Sequence, residues 1–406
     1  MYARGVTGVP ACVCTRGAIT GRGALYLKIT AINTYFSRET HRNLIFIEVL
    51  TDAGISGIGE AYSVGPDDAV PAVVKQFESW LSGKDPRNIE ECWQTMYNFS
   101  RFPNGLVMMA ALSGIDMALW DIAGKAAGVP VWVLLGGKCR NRIRTNGSVT
   151  GSTPEAAARS AADIVGKYGF NAVKCFPLFA GRDIPLWNRR MRTAGEIMRA
   201  VREAVGPDVD VAVDTHASLA YPFEAIEFSD SIAQYRPLFI EEPLRPENRD
   251  ALAQVRRKTK VPVATGEMLY SKWEFRELLA REAADIIQPD ICIAGGITEM
   301  KKIAAVAESF NVPVAPHNPM GPIATAATVH VMATVANYFI TDYLPDDTPE
   351  RRDIVDEPVP FHDGWLEIPD RPGLGIELRK EGLKDPRKGG WTRPIQYHPD
   401  GAPSYI

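Results

Sequence analysis

Long apolar runs, charge of one sign and paired cysteines are all scarce in this chain of 406 residues. No stretch of about 18 uninterrupted apolar residues occurs; the nearest, Ile323–Ile340, is broken by His330, Asn337 and several threonines, so no membrane partner is expected. The opening Met1–Leu25 is Gly-rich and basic but lacks the apolar core of an export signal, and residues 1–25 are expected to be a disordered extension. Lys plus Arg number 45 against 49 Asp plus Glu, a net charge of -4 with both signs interspersed, which excludes a nucleic-acid or anionic-membrane surface. The six cysteines, Cys12, Cys14, Cys92, Cys139, Cys175 and Cys292, are scattered, the last two in apolar runs. They read as free thiols of a reducing, cytoplasmic compartment. Cys12-x-Cys14 has no neighbouring His or Cys to complete a metal site and reads as two incidental thiols.

What the chain does have is acid at the ends of apolar runs. VAVDTH (Val211–His216), LFIEEP (Leu238–Pro243) and VPVATGE (Val261–Glu267) each read as a buried strand that delivers a carboxylate to its far end. Asp214, Glu241 and Glu267 recur 27 and 26 residues apart, the period of a parallel strand-plus-helix repeat. The step continues to Asp290 in DIIQPD and His317 in VPVAPH. One acid at a strand end is most often a helix cap. Three at one period, brought to one apolar rim, repel each other unless a cation sits among them. All-oxygen ligands select Mg²⁺, with Mn²⁺ as a substitute, over Zn²⁺.

The coarse organisation supports such a rim. Residues 26–138 show an antiparallel meander (ITAINTYF, NLIFIEVL, GIGEAY), with SRETHR as a loop between the first two runs. Helical patterning follows over Val70–Leu81, Ile89–Phe99 and Gly105–Ala127, which predicts an α+β capping domain. After Gly136-Gly137-Lys138 the texture changes. Over 139–345, IRTNGS, NAVKCF, VDVAVD, LFIEE, VPVATGE, DIIQPD, VPVAPH and NYFITD supply eight strands separated by helical stretches, the number that closes an α/β barrel of the TIM type. Residues 346–406 are too short for another unit and are expected to return onto the capping domain and end in an extended tail.

In such a barrel the C-terminal strand ends carry the chemistry. Alternation places His216 above Asp214 on the same side of its strand. Lys174, on the preceding strand, either holds a substrate carboxylate or pairs with a ligand acid. Asp290 and His317 end adjacent strands, where the carboxylate would fix the imidazole tautomer and raise its basicity. Glu242 should face away from the ligands, towards the helical shell. The substrate expected at such a site is a small carboxylate. A divalent ion and a lysine together offset the charge that forms when the α-proton is removed.

On these residues the chain resembles the mandelate racemase and muconate lactonizing enzyme family of the enolase superfamily. The likeness covers residues 26 to about 380, in Ser113–Gly137 (SGIDMALWDIAGKAAGVPVWVLLGG), the IEEP and GE motifs, and the D-x-H at Asp214 and His216, which is similar to the acid-sugar dehydratases. The resemblance implies a (β/α)7β TIM-like barrel under an α+β capping domain. It also implies a Mg²⁺ cofactor on Asp214, Glu241 and Glu267, His216 as a catalytic group, and a homo-oligomer, dimer or octamer. It implies that Asp342 takes the place of a Glu that binds the substrate carboxylate, and that His41 lies in the substrate-capping loop. Two departures stand out: Phe176 occupies the place of a second lysine, and Asp342 is one methylene shorter than the family's acid.

The reading that follows is Mg²⁺-dependent dehydration of an aldonate or aldarate, in which the α-proton is abstracted to a metal-stabilised enediolate and the β-hydroxyl is lost. His317 with Asp290 and His216 divide the base and acid roles. Racemisation, epimerisation or cycloisomerisation of a carboxylate on the same site is the alternative. A barrel that kept its fold as a binding protein and lost catalysis is a third reading.

Overall fold

The computed structural model describes residues 27–39, 42–179, 186–384, 397 and 400–403. The extension 1–25 and His41 lie outside the described residues.

Strands β1 (Ile29–Glu39), β2 (Arg42–Thr51) and β3 (Ser56–Ala61) form the antiparallel meander in that order. They run further than their apolar residues suggest. The expected SRETHR loop is mostly ladder, with Ser37, Arg38 and Glu39 paired to Leu44, Asn43 and Arg42. Ser37, Glu39, Arg42 and Asn43 are buried polar residues whose partners lie far away in sequence, so no local pattern marks them as strand.

Helices α1 (Ala69–Leu81) and α2 (Ile89–Phe99) cover the sheet beside α3 (Leu106–Ala127), followed by a short α4 (Val131–Leu134). By length and composition α3 could cross a membrane, more so than the Ile323–Ile340 stretch, yet 72% of its apolar window is buried in the fold, as expected of a core helix. Its backbone lies almost on β3. A Cβ added to Gly59 would stand 1.9 Å from Gly114 O, and one on Gly57 2.0 Å from Ala118 O, so glycine is required at both positions.

The barrel strands are β4 (Arg142–Ser148), β5 (Ala172–Cys175), β6 (Asp210–Asp214), β7 (Ile240–Glu241), β8 (Val263–Thr265), β9 (Ile286–Ile287) and β10 (Thr341–Asp342). The seventh of the eight positions is held by single bridges, Val314 to both Ile287 and Tyr338 and His317 to Asp290. Closure comes from β10 pairing in parallel with β4, Thr341 to Thr145 and Asp342 to Asn146. Helices α5 (Pro154–Tyr168), α6 (Trp187–Val205), α7 (Pro222–Ile232), α8 (Arg249–Lys258), α9 (Ser271–Ala280), α10 (Gly296–Ser309) and α11 (Pro322–Ala333) separate successive strands. After β10 the only α-helix among the described residues is the single turn α12 (Pro349–Arg352), so the barrel is of (β/α)7β form.

The barrel interior is layered. Ala172, Ala212, Phe239, Ile286, Ala315 and Ile340 cluster with Ala264 in one apolar layer. Two residues on from the first six, and by strand alternation on the same side, come Lys174, Asp214, Glu241, Gln288, His317 and Asp342. The chemistry therefore stands on an apolar floor.

The C-terminal return differs in part from expectation. His362-Asp363-Gly364-Trp365 turns with positive φ at Asp363 (50°) and Gly364 (79°), the Asp-Gly hairpin signature, and joins β11 (Phe361–His362) to β12 (Trp365–Glu367). β12 then pairs with the start of β4, on the barrel. Beyond it the chain reaches the capping unit, where Leu374 N donates to Asp121 Oδ1 on α3 (2.8 Å) and Lys380 meets Glu48 on β2 (2.8 Å).

Candidate metal and acid–base site

β6 and β7 end on Asp214 and Glu241, while Glu267 follows β8 after Gly266, whose φ of 135° turns the chain back to the rim. Oxygens of the three acids lie within 4.8 Å of one another. Burial is the main influence raising the carboxyl pKa of each. Lys174 opposes the rise at Asp214 and Glu241, His317 opposes it at Glu267, and repulsion among the acids adds to it. Glu241 is pushed up to about 7.

Lys174, on β5, is 3% exposed and places Nζ 2.8 Å from Glu241 Oε1, 2.8 Å from Asp342 Oδ2 and 3.8 Å from Asp214 Oδ2. Burial disfavours its charge, but Asp342, Glu241 and Asp214 outweigh that and hold the ammonium well above its usual range. The lysine thus pairs with a candidate ligand acid while also lining the cavity. Asp342 is held below the usual range, burial being outweighed by Lys174, His317 and an Asn146 hydrogen bond.

His317 Nδ1 lies 2.8 Å from Asp290 Oδ2 and its Nε2 3.5 Å from Glu267 Oε2. Burial opposes charge on the ring, but Glu267 and Asp290 prevail and push it up to about 10. His216 meets a different acid of the triad, with Nε2 3.3 Å from Asp214 Oδ2. Strand alternation is not what brings it there. β6 stops at Asp214, and His216 and Ala217 take φ of 47° and 51°, a left-handed turn in which the His216 N–H donates to Asp214 Oδ1 (2.7 Å). Phe176 and Phe179 lie nearly parallel to the imidazole, with centroids 5.3 and 4.8 Å away.

Glu242 is outside the triad, as expected. Its Oε1 accepts from Thr265 Oγ1 and Gly266 N, each at 2.8 Å. His330 is buried between Trp132 N and Leu374 O, and His362 is exposed.

Lys174, Asp214, Glu267, His216, His317 and Asp342 line one cavity of about 550 Å³. Asp290 and Glu241 sit just behind them, the first on His317 and the second on Lys174. Three further features of the site were not singled out from sequence. Gln288 Nε2 donates to Glu241 Oε2 (2.7 Å); it lies two residues before Asp290 in the same run, so strand counting alone would have found it. Arg42 and Tyr62 enter from the capping unit, Tyr62 with its ring centroid 6.2 Å from that of His317. Ser148 at the end of β4, with Thr150 and Ser152 after it, adds hydroxyls to the wall. A larger cleft of about 850 Å³ between the loops that follow β6 and β7 contains none of the candidate catalytic groups.

The donor set fits a hard divalent cation. The oxygens are all carboxylate, they converge, and Lys174 alone cannot balance Asp214, Glu241, Glu267 and Asp342.

Comparison with known proteins agrees over nearly the whole chain. Residues 27–136 match the model of the mandelate racemase / muconate lactonizing enzyme N-terminal domain, and residues 156–382 match that of the enolase C-terminal domain-like family. A D-galactonate dehydratase of Xanthomonas oryzae pv. oryzae is 35% identical over 387 residues, 93% of this chain and 99% of the relative. One of Pectobacterium atrosepticum is 35% identical with the same coverage. Among solved structures, an enolase proposed to be a galactarate dehydratase, from Agrobacterium radiobacter with Na⁺ and L-malate bound, superposes with TM-score 0.88 at 36% identity. That match covers 93% of this chain and 100% of the other.

Proposed function

Because the chain belongs to the mandelate racemase and muconate lactonizing enzyme family of the enolase superfamily and is an enzyme of the hydro-lyase class, we propose that it dehydrates a sugar acid, an aldonate or aldarate, with Mg²⁺ as cofactor. The observation that carries this reading is a pair of imidazoles on different acids of the triad, His317 against Glu267 and His216 against Asp214. An α-proton taken on one side and a β-hydroxyl protonated on the other is the division of labour that dehydration needs.

Asp214, Glu241 and Glu267 would hold the cation. When bound it supplies positive charge beside the substrate carboxylate, where negative charge accumulates as the α-proton leaves. Lys174 adds a second cation there, fixed by Glu241 and Asp342. Asp290 orients the His317 ring through Nδ1, leaving Nε2 towards the cavity to take or give the proton. A cation on Glu267 would withdraw part of the support for His317's charge and bring its basicity nearer to neutral pH. Phe176 and Phe179 stack with the His216 ring and fix its plane. Which histidine is base depends on the configuration at C2 and C3 of the substrate. The enzyme is read as cytoplasmic and, on the resemblance, as a dimer or octamer.

The test is a screen of mono- and diacid sugars with Mg²⁺, scored by formation of a 2-keto-3-deoxy acid. Run in D₂O, it also separates the alternatives: deuterium exchange at C2 without loss of water would sink dehydration in favour of racemisation or epimerisation.

A further inference from the structure

Arg42 is the one guanidinium lining the active-site cavity among the described residues, and it is 6% exposed. A free arginine side chain has many rotamers, so something must hold it. Its Nη2 donates to the Pro319 carbonyl and its Nε to Glu39 Oε2 at 3.3 Å. The other oxygen of that carboxylate, Oε1, accepts from Arg351 Nη1 at 2.8 Å. Arg351, on α12 and 3% exposed, also donates from Nε to Asp346 Oδ1 (2.8 Å) and from Nη2 to the Met320 carbonyl (2.6 Å). One planar fork therefore grips three groups. It fixes the acid that orients Arg42, and it fixes the backbone that leads away from His317.

We propose that Arg351 is a positioning residue of the active site, holding the Arg42 guanidinium in the cavity wall through Glu39 so that it meets the end of the anionic substrate remote from Lys174. The proposal rests on the cavity being the substrate site. Lysine cannot replace Arg351, because a single ammonium does not reproduce the fork's geometry towards Glu39, Asp346 and Met320 O together.

The experiment compares Arg351→Lys, Glu39→Gln and Asp346→Asn with the parent, measuring KM and kcat for the best sugar acid, L-malate affinity by calorimetry, Mn²⁺ affinity and melting temperature. Arg351→Lys and Glu39→Gln should each raise KM and the L-malate Kd about tenfold, with kcat within about threefold and Mn²⁺ affinity unchanged. Asp346→Asn removes a partner of Arg351 on the side away from Arg42; it should lower the melting temperature and leave KM within about twofold. KM and L-malate Kd unchanged in both Arg351→Lys and Glu39→Gln, or the same loss in all three variants, overturns the proposal. Should Arg351→Lys fail to fold, Glu39→Gln decides alone. A parent that turns over no sugar acid but whose L-malate binding responds as stated leaves the positioning role standing and removes the dehydratase reading; a parent that does neither removes both.

Discussion

Loading the acid triad with Mg²⁺ should stabilise the protein, and by more at alkaline than at acid pH. Without a cation, Glu241 is pushed from 4.5 up to about 7, chiefly by burial. The folded chain then keeps a proton that the unfolded chain releases between those values. This stabilising contribution is complete below about pH 4.5 and is lost as pH rises to about 7; at ~1.4 kcal/mol per unit it is worth about 3 kcal/mol, or about 4 °C in a fold of this size. A divalent ion needs Glu241 deprotonated, so below about pH 7 its affinity falls at least about tenfold per pH unit, the raised Asp214 and Glu267 adding to the fall. Between about pH 8.5 and about pH 5.5 that is roughly 30-fold from Glu241 alone, so the stabilisation by a fixed Mg²⁺ concentration shrinks by at least about 2 kcal/mol. The assay is differential scanning calorimetry of chelator-stripped protein at both pH values, with and without Mg²⁺. The reasoning is refuted by a Mg²⁺ gain equal at the two pH values, or by no gain with either Mg²⁺ or Mn²⁺.

Three further outcomes are expected. His317→Asn should lower kcat by about 10²-fold or more at unchanged Mn²⁺ affinity, and Asp290→Asn by about 10- to 100-fold, since it acts by orienting the ring; steady-state kinetics check both. Lys174→Met leaves Glu241 and Asp342 without their shared cation and should cost about 3–5 kcal/mol in the metal-free protein, read by chemical denaturation, with part of the loss recovered by Mg²⁺. Gly59→Ala forces a methyl against Gly114 O and should cost at least about 2 kcal/mol by the same measurement, whereas Gly166→Ala, in open space on α5, should cost nothing.

The acids were legible because each closes an apolar run and because parallel repeats impose a near-constant period; Asp214, Glu241 and Glu267 meet where counting puts them. The Asp290–His317 contact followed from the same count. His216 reaches Asp214 as well, but by a left-handed turn that alternation does not describe. Tyr62 and Arg351 left no trace in the sequence, since their places depend on how the capping unit and the C-terminal segment dock on the barrel, and Arg42 was legible only as the end of the loop expected over the substrate. The Asp363-Gly364 hairpin carried a local signal of its own, overridden by the expectation that everything after Asp342 would return to the capping unit.

The apolar layer of Ala172, Ala212, Phe239, Ala264, Ile286, Ala315 and Ile340 turns the barrel into a cup rather than a tube. An ion and a substrate would then come and go on the side away from that floor, through the cavities that Tyr62 and Glu267 both line. On the proposed reading, a cation held by the three acids would lie beneath the substrate, entering before it and leaving after the product. A bound substrate analogue should accordingly slow the stripping of metal by chelators.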